Sequence, residues 1–193
     1  MKRITLSLIL IAGGAMLTAC TDSADATTAQ LDVAKEQVRR GQYLVTVGGC
    51  NDCHTPMKMG AKGPEPDMSR MLSGHPQDYV VRASNNPEWL MNVAPTGTAF
   101  AGPWGVSFAR NLTPDQVTGI GIWTEAQFIK TIRSGRHWGV SRPILPPMPW
   151  FNYAKMTDAD LKAVYAYLRT IPAVRNEVPD AILAPPPQQA AKS

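Results

Sequence analysis

The chain has 193 residues, 44% of them hydrophobic, with a formal charge of +4. That is enough apolar material for a core, so disorder throughout is excluded, and the length points to one domain with appendages. Two of the positive charges, Lys2 and Arg3, fall in a segment read below as removed, and no run of Lys and Arg interleaves with aromatics, so nucleic acid is excluded as a partner.

In chain order, Met1-Lys2-Arg3 is a short positive start, Ile4 to Leu17 is mostly apolar, and Leu17-Thr18-Ala19-Cys20 follows at once. This is the pattern of a secretion signal, and the apolar run is too short and too glycine-bearing to span a bilayer comfortably. Leu-Thr-Ala-Cys resembles the lipobox of bacterial lipoproteins. The resemblance implies a signal peptide over 1–19, lipidation of Cys20, and an exported chain anchored by lipid to a membrane, with its domain in the periplasm. Thr21 to about Leu31 is small, polar and without period, so 20–33 is expected to be a flexible tether. Its reach is on the order of 20 Å.

From Asp32 to Val47 the period becomes helical, with Ala34, Val38, Gly41 and Val45 on one stripe and Asp32 as N-cap. Gly41 in mid-helix costs about 1 kcal/mol relative to alanine, which predicts close approach by another helix. Gly48-Gly49 then ends the helix and delivers the chain to Cys50-Asn51-Asp52-Cys53-His54. A bare Cys-x-x-Cys leaves disulfide exchange or half a zinc site open. The histidine at the next position favours covalent haem, because two thiols at this spacing can each form a thioether to one vinyl group while the imidazole reaches the iron. Export fits, since an oxidising compartment drives an unmodified thiol pair towards a disulfide.

Thr55 to Arg110 is rich in Gly, Pro, Ser and Asn and reads as ordered loops with short helical pieces. A structureless loop of this length is suspect in a compact domain, so it is expected to wrap the haem and bury Met68, Met71, Trp89 and Trp104. Asn111-Leu112-Thr113-Pro114-Asp115 is turn chemistry. A helix follows, with Thr124 as N-cap, Phe128, Ile129 and Ile132 as apolar positions and Gly135 at its end. Pro143, Pro146, Pro147 and Pro149 make a rigid loop up to Trp150. Thr157 caps a last helix with Leu161, Val164, Tyr165 and Leu168 on one face, stopped by Pro172. Pro185-Pro186-Pro187 opens a disordered end.

His54 fills one axial position of the iron, so the other decides the chemistry. Of nine methionines, Met1 and Met16 leave with the signal, and Met57 and Met59 follow His54 too closely to reach the opposite haem face. Met68, Met71, Met91, Met148 and Met156 remain. Met148, framed by Pro147 and Pro149, is presented with little loss of backbone entropy, and its soft thioether suits electron transfer. A methionine that only fills the core, and bis-histidine ligation through His137 or His75, stay open as alternatives.

CNDCH, PPMPW and DADLKAVYAYLRTI together resemble the class I mono-haem c-type cytochromes. FARNLTPD and GIGIWTEAQFIKTIRSG resemble a bacterial subgroup that accompanies periplasmic dehydrogenases, and the likeness covers about 34–174. It implies an all-α cytochrome c fold over 34–174, whose N- and C-terminal helices cross over the covalently bound haem. Gly41, Tyr43, Tyr165 and Leu168 match the crossing, and a long loop-rich insert departs from the compact members. The remainder, 175–193, is an extended or disordered tail. The resemblance further implies that a Gly63-Pro64 carbonyl accepts the other ring hydrogen of His54. Asn111, Trp123 and Arg133 are candidates for haem propionates, each with an ordinary alternative as turn residue, core indole or solvated arginine.

The function implied is electron transfer by one haem c, bonded to Cys50 and Cys53 and ligated by His54 and Met148, in a membrane-tethered carrier or the cytochrome subunit of a periplasmic dehydrogenase, not itself an enzyme. Its partners are redox proteins: a dehydrogenase donor, an oxidase or cytochrome acceptor, or both. The membrane is a further partner through Cys20. The competing function is a haem peroxidase or gas-binding sensor with an open or labile sixth site.

Overall fold

The computed structural model describes residues 19–82 and 88–185, with backbone alone for 19–25. The secretion signal up to residue 18 and the side chain of Cys20 lie outside the described residues. Two compact units divide the chain, Met1–Glu36 and Gln37–Ser193.

Helix α1 spans Ala19–Val47. In the first unit it runs through the stretch that reads as a tether, because no glycine or proline interrupts residues 19–40. Asp32 is therefore interior to the helix and not its cap, and it pairs with Lys35 at 3.3 Å. Residues 26–36 are all exposed, so no buried apolar face supports the helix there.

In the second unit the expected all-α fold does not hold. Among the described residues, five α-helices stand beside six strands in two sheets. After α2 (Cys50–His54), β1 (Met57–Gly60) and β2 (Gly63–Pro66) form an antiparallel hairpin with Met57 opposite Pro66. β3 (Asn92–Val93), β4 (Ala99–Gly102), β5 (Gly105–Phe108) and β6 (Ile182–Leu183) make a four-stranded antiparallel sheet in that order. Strands of two to four residues hold at most two alternations of side chain, so no period of 2 accumulates to mark them in the sequence.

α3 (Glu125–Ser134) forms as its sequence dictates. Thr124 and Gln127 close a reciprocal capping box, and Gly135 ends the helix at φ 62°. α4 (Trp150–Tyr153) follows the proline-rich loop, and Thr157 caps α5 (Asp158–Leu168) by accepting from the Asp160 amide. The last turns of α1 pack against α5 at Gly41. A Cβ there would lie 1.9 Å from the Ala163 carbonyl oxygen and 2.8 Å from the Tyr167 Cβ, so only glycine permits the contact. Ala163 and Tyr167 supply the atoms nearest this glycine, Leu168 and Tyr165 pack in one cluster with Val45 of α1, and Tyr43 is exposed beneath Arg40.

Val45, Leu72, Ile120, Phe128, Leu168 and Ile171 form the buried cluster, with Cys50, Met71, Leu112 and Trp123 packed against it. Met71 thus goes inside as expected. Met68 and Trp89 do not, being 58% and 66% exposed. The segment after α5 is no loose tail where the structure describes it. Asn176 is 0% exposed; its Nδ2 donates to the carbonyls of Ser73 and His75, each at 2.8 Å, and its Oδ1 accepts from the Gln77 amide at 3.0 Å. Residues 174–183 therefore form a strap laid across the insert. No helix of the described residues is long and apolar enough to cross a membrane.

Candidate haem site

α2 presents the Cys-x-x-Cys-His string as one short helix, entered through Gly49 at φ 66°. Thr55 closes it: its amide donates to the Asn51 carbonyl at 3.1 Å, its hydroxyl donates to Asn51 Oδ1 at 2.9 Å, and that hydroxyl accepts from the Leu72 amide at 2.9 Å. His54 is 8% exposed, and its Nδ1 lies 2.7 Å from the Arg110 carbonyl oxygen. A carbonyl only accepts, so Nδ1 carries the hydrogen and Nε2 keeps its lone pair for a ligand. Burial lowers the His54 pKa, the Arg110 hydrogen bond opposing, so the ring stays neutral. The acceptor expected from Gly63-Pro64 is instead supplied 56 residues from the histidine.

Cys50 and Cys53 are unpaired thiols. Burial pushes Cys50 up to about 11, with smaller contributions from Asp52 and Cys53 in the same direction, and burial followed by Asp52 also raises Cys53. Thiols held protonated are poor exchange nucleophiles, which argues against a disulfide-exchange role. Among the described residues no group of three or more His, Cys, Asp or Glu could hold a metal ion, so the half zinc site finds no second half.

A cavity of about 290 Å³ lies beside the motif's acceptor. Arg110, Asn111 and Leu112 line it, with Phe100, Ile120, Trp123, Phe128, Ile132, Leu145 and Met148. Cys50, Cys53 and His54 do not line it themselves. His54 and Cys50 join it through its walls: the Arg110 carbonyl holds His54, and Cys50 packs on the cluster of Ile120 and Phe128. The Met148 loop is fixed from two sides. Ser107 Oγ donates to the Pro146 carbonyl at 2.5 Å, and five residues beyond Met148 the Tyr153 hydroxyl donates to the Gly48 carbonyl at 2.6 Å. Tyr153 is close enough to Cys50 and Cys53 that their field, after burial, raises its pKa. An apolar cavity with a thioether in its lining, joined through Arg110 to an imidazole with Nε2 free and flanked by two half-buried thiols, fits a haem.

The other candidate ligands separate clearly. Met68, Met71, Met91 and Met156 do not line the cavity. His75 is spent: it is 0% exposed, Nε2 donates to the Tyr79 carbonyl at 3.0 Å, and Nδ1 pairs with Thr98 Oγ1 at 2.9 Å. His137 does line the cavity, edge-on to Trp123 at 5.3 Å, and burial followed by the charges of Arg142 and Arg110 pushes its pKa down to about 4.

Of the three propionate candidates, Trp123 alone faces the cavity with its side chain uncommitted to a hydrogen bond. Asn111 lines it too, but its amide donates to the Val174 carbonyl at 2.8 Å and its Oδ1 accepts from the Thr113 amide at 2.9 Å. Arg133 turns away to the Ala154 carbonyl and to Asp158 at 2.5 Å. Arg142 and Trp138 line the cavity without any motif to announce them.

No protein-family profile matches the chain. It is 39% identical over 83 residues to a nicotinate dehydrogenase subunit of Pseudomonas putida, covering 43% of this chain and 7% of that protein. It is 32% identical over 133 residues to the gluconate 2-dehydrogenase cytochrome c subunit of Pantoea cypripedii, covering 67% and 22% respectively. Against a dihaem c-type cytochrome of Cereibacter sphaeroides it is 27% identical over 169 residues, covering 86% and 47%. The chain therefore spans about a fifth of the gluconate dehydrogenase subunit and less than half of the dihaem protein.

His75 gives the fold a pH dependence of known sign. Burial lowers its pKa, with Arg70 acting the same way and the Tyr79 carbonyl and Asp78 opposing. On acidification below the ordinary histidine value the unfolded chain takes up a proton that the folded chain refuses. The contribution is thus complete above about pH 6.5 and is lost as pH falls through the lowered value. Urea denaturation at pH 7 and pH 5 should show lower stability at pH 5. His75→Gln should flatten that slope, by up to about 1.4 kcal/mol per pH unit, and an unchanged slope would exclude His75 as its source.

Proposed function

We propose that the chain is a one-electron carrier, a c-type cytochrome with one haem bonded to Cys50 and Cys53 and with His54 and Met148 as axial ligands. The observation that carries this is a buried His54 whose Nδ1 is committed to Arg110 while Met148 lines the adjoining cavity. Haem supplies a one-electron couple, and a thioether ligand favours the ferrous state and raises the potential. The chain's own part is positional. Phe100, Leu112, Ile120, Ile132 and Leu145 keep water from the cavity, while Arg142 offers positive charge to haem carboxylates. Similarity to cytochrome subunits of dehydrogenases supports a dehydrogenase as electron donor and a redox protein as acceptor.

One observation favours a second ligand set. His137 lines the same cavity and stays uncharged down to about pH 4, so its imidazole competes with Met148 for the sixth position. Absorption spectra of the ferric protein decide between them. The weak long-wavelength band of methionine ligation should be present in the native protein and in His137→Ala, and absent in Met148→Ala. Its absence from the native protein removes Met148 as ligand.

The same proposal places the carrier at a membrane, outside the cytoplasm, through a lipid on Cys20, supported by Leu17-Thr18-Ala19-Cys20. Cys20→Ser should move the protein from the membrane to the soluble fraction of cells. Unchanged membrane association would refute the anchor.

A further inference from the structure

We propose that Arg110 is a positioning residue for the iron's histidine ligand, and that it acts by fastening the ligand's hydrogen-bond acceptor to the C-terminal strap. The inference rests on Cys50 to His54 being the haem-binding string. The Arg110 carbonyl accepts from His54 Nδ1 at 2.7 Å. The guanidinium of the same residue donates through Nη1 to the carbonyls of Val178 and Pro179, at 3.1 and 2.9 Å, and its Nη2 lies 3.8 Å from the Asp180 carboxylate. One residue thus grips the ligand with its backbone and the strap with its side chain.

The backbone on either side is clamped as well. The Ala109 amide donates to the Thr98 carbonyl, the Ala109 carbonyl accepts from the His75 amide, and the Leu112 amide donates to the Leu72 carbonyl, each at 2.9 Å. Gly74 supplies the space. At φ +79°, a Cβ there would stand 2.5 Å from the Ala109 carbonyl oxygen and 2.8 Å from that of Arg110, and the Gly74 amide donates to the His54 carbonyl at 2.8 Å. A glycine brings histidine and acceptor together, and the strap fixes the acceptor.

An imidazole whose Nδ1–H is held by a fixed carbonyl is a stronger donor through Nε2, and a stronger donor favours ferric iron. Releasing the strap lets the carbonyl tilt, weakens the hydrogen bond and favours the ferrous state. The strap therefore sets the potential through the ligand's hydrogen-bond acceptor, without contacting His54 itself.

The test uses Arg110→Met in the full-length, haem-loaded protein, since methionine keeps the backbone carbonyl and much of the stem but no donor. At fixed ambient potential the ratio of ferrous to ferric protein should rise about tenfold, the lower end of effects from such outer hydrogen bonds, equivalent to about 59 mV for one electron. The His54 Nδ1–H proton resonance of the ferrous protein should move upfield, while the visible spectrum keeps native ligation. Arg110→Gln, a milder change expected to act in the same direction, carries the test where the methionine variant does not fold. A native potential and a native Nδ1–H resonance in a folded variant overturn the positioning role. A native chain lacking covalent haem overturns the underlying assignment instead, and haem content measured beforehand tells the two failures apart.

Discussion

The hydrogen bond from His54 Nδ1 to the Arg110 carbonyl is the contact on which the rest of the site depends. It joins a five-residue helix to a strip of chain 56 positions away, and it fixes which nitrogen of the imidazole is left to act. Arg110, Asn111 and Leu112 then serve twice, as the wall of the cavity and as the rack that holds the motif and the strap. Opposite forces meet here. Burying His54 costs solvation and would be unfavourable for a charged ring, but for a neutral ring with its one hydrogen satisfied the cost is small.

The second constraint is polar and comes from the C-terminal strap. Asn176 is fully buried yet satisfied, by two backbone carbonyls, a backbone amide and Arg70. Each such bond adds only about 0.5–1.5 kcal/mol net, but removing the side chain would strand several buried groups at about 1–3 kcal/mol each. This asymmetry is why a segment with little apolar content is held in one place. It contrasts with residues 26–36 of α1, where every side chain is exposed.

What the sequence discloses follows the range of the interactions involved. Thr124 with Gln127 and Gly135, Thr157 with Asp160, and Gly41 on its stripe are local signals, and each element stands where its signal puts it. Cys50 to His54 is equally local, and Met148 between two prolines does face the cavity. The rest depends on partners far along the chain. The two-residue strand β6 exists through its pairing with β5. Asn176 looks like a solvated turn residue until Ser73 and His75 are brought to it. The acceptor for His54 is likewise a carbonyl, which every residue possesses, so no side chain could announce that Arg110 provides it rather than the Gly63-Pro64 segment.

Half-buried thiols, a buried imidazole held to a carbonyl, a thioether-lined cavity and likeness to cytochrome subunits support the proposed electron carrier, and covalent haem on Cys50 and Cys53 is its central requirement. The most direct measurement is the intact mass of the purified protein after acidic organic extraction of loosely held haem. The mass should be raised by one haem, with no free thiol and no disulfide at Cys50 and Cys53. A haem-free chain after extraction, or a Cys50–Cys53 disulfide, would contradict it.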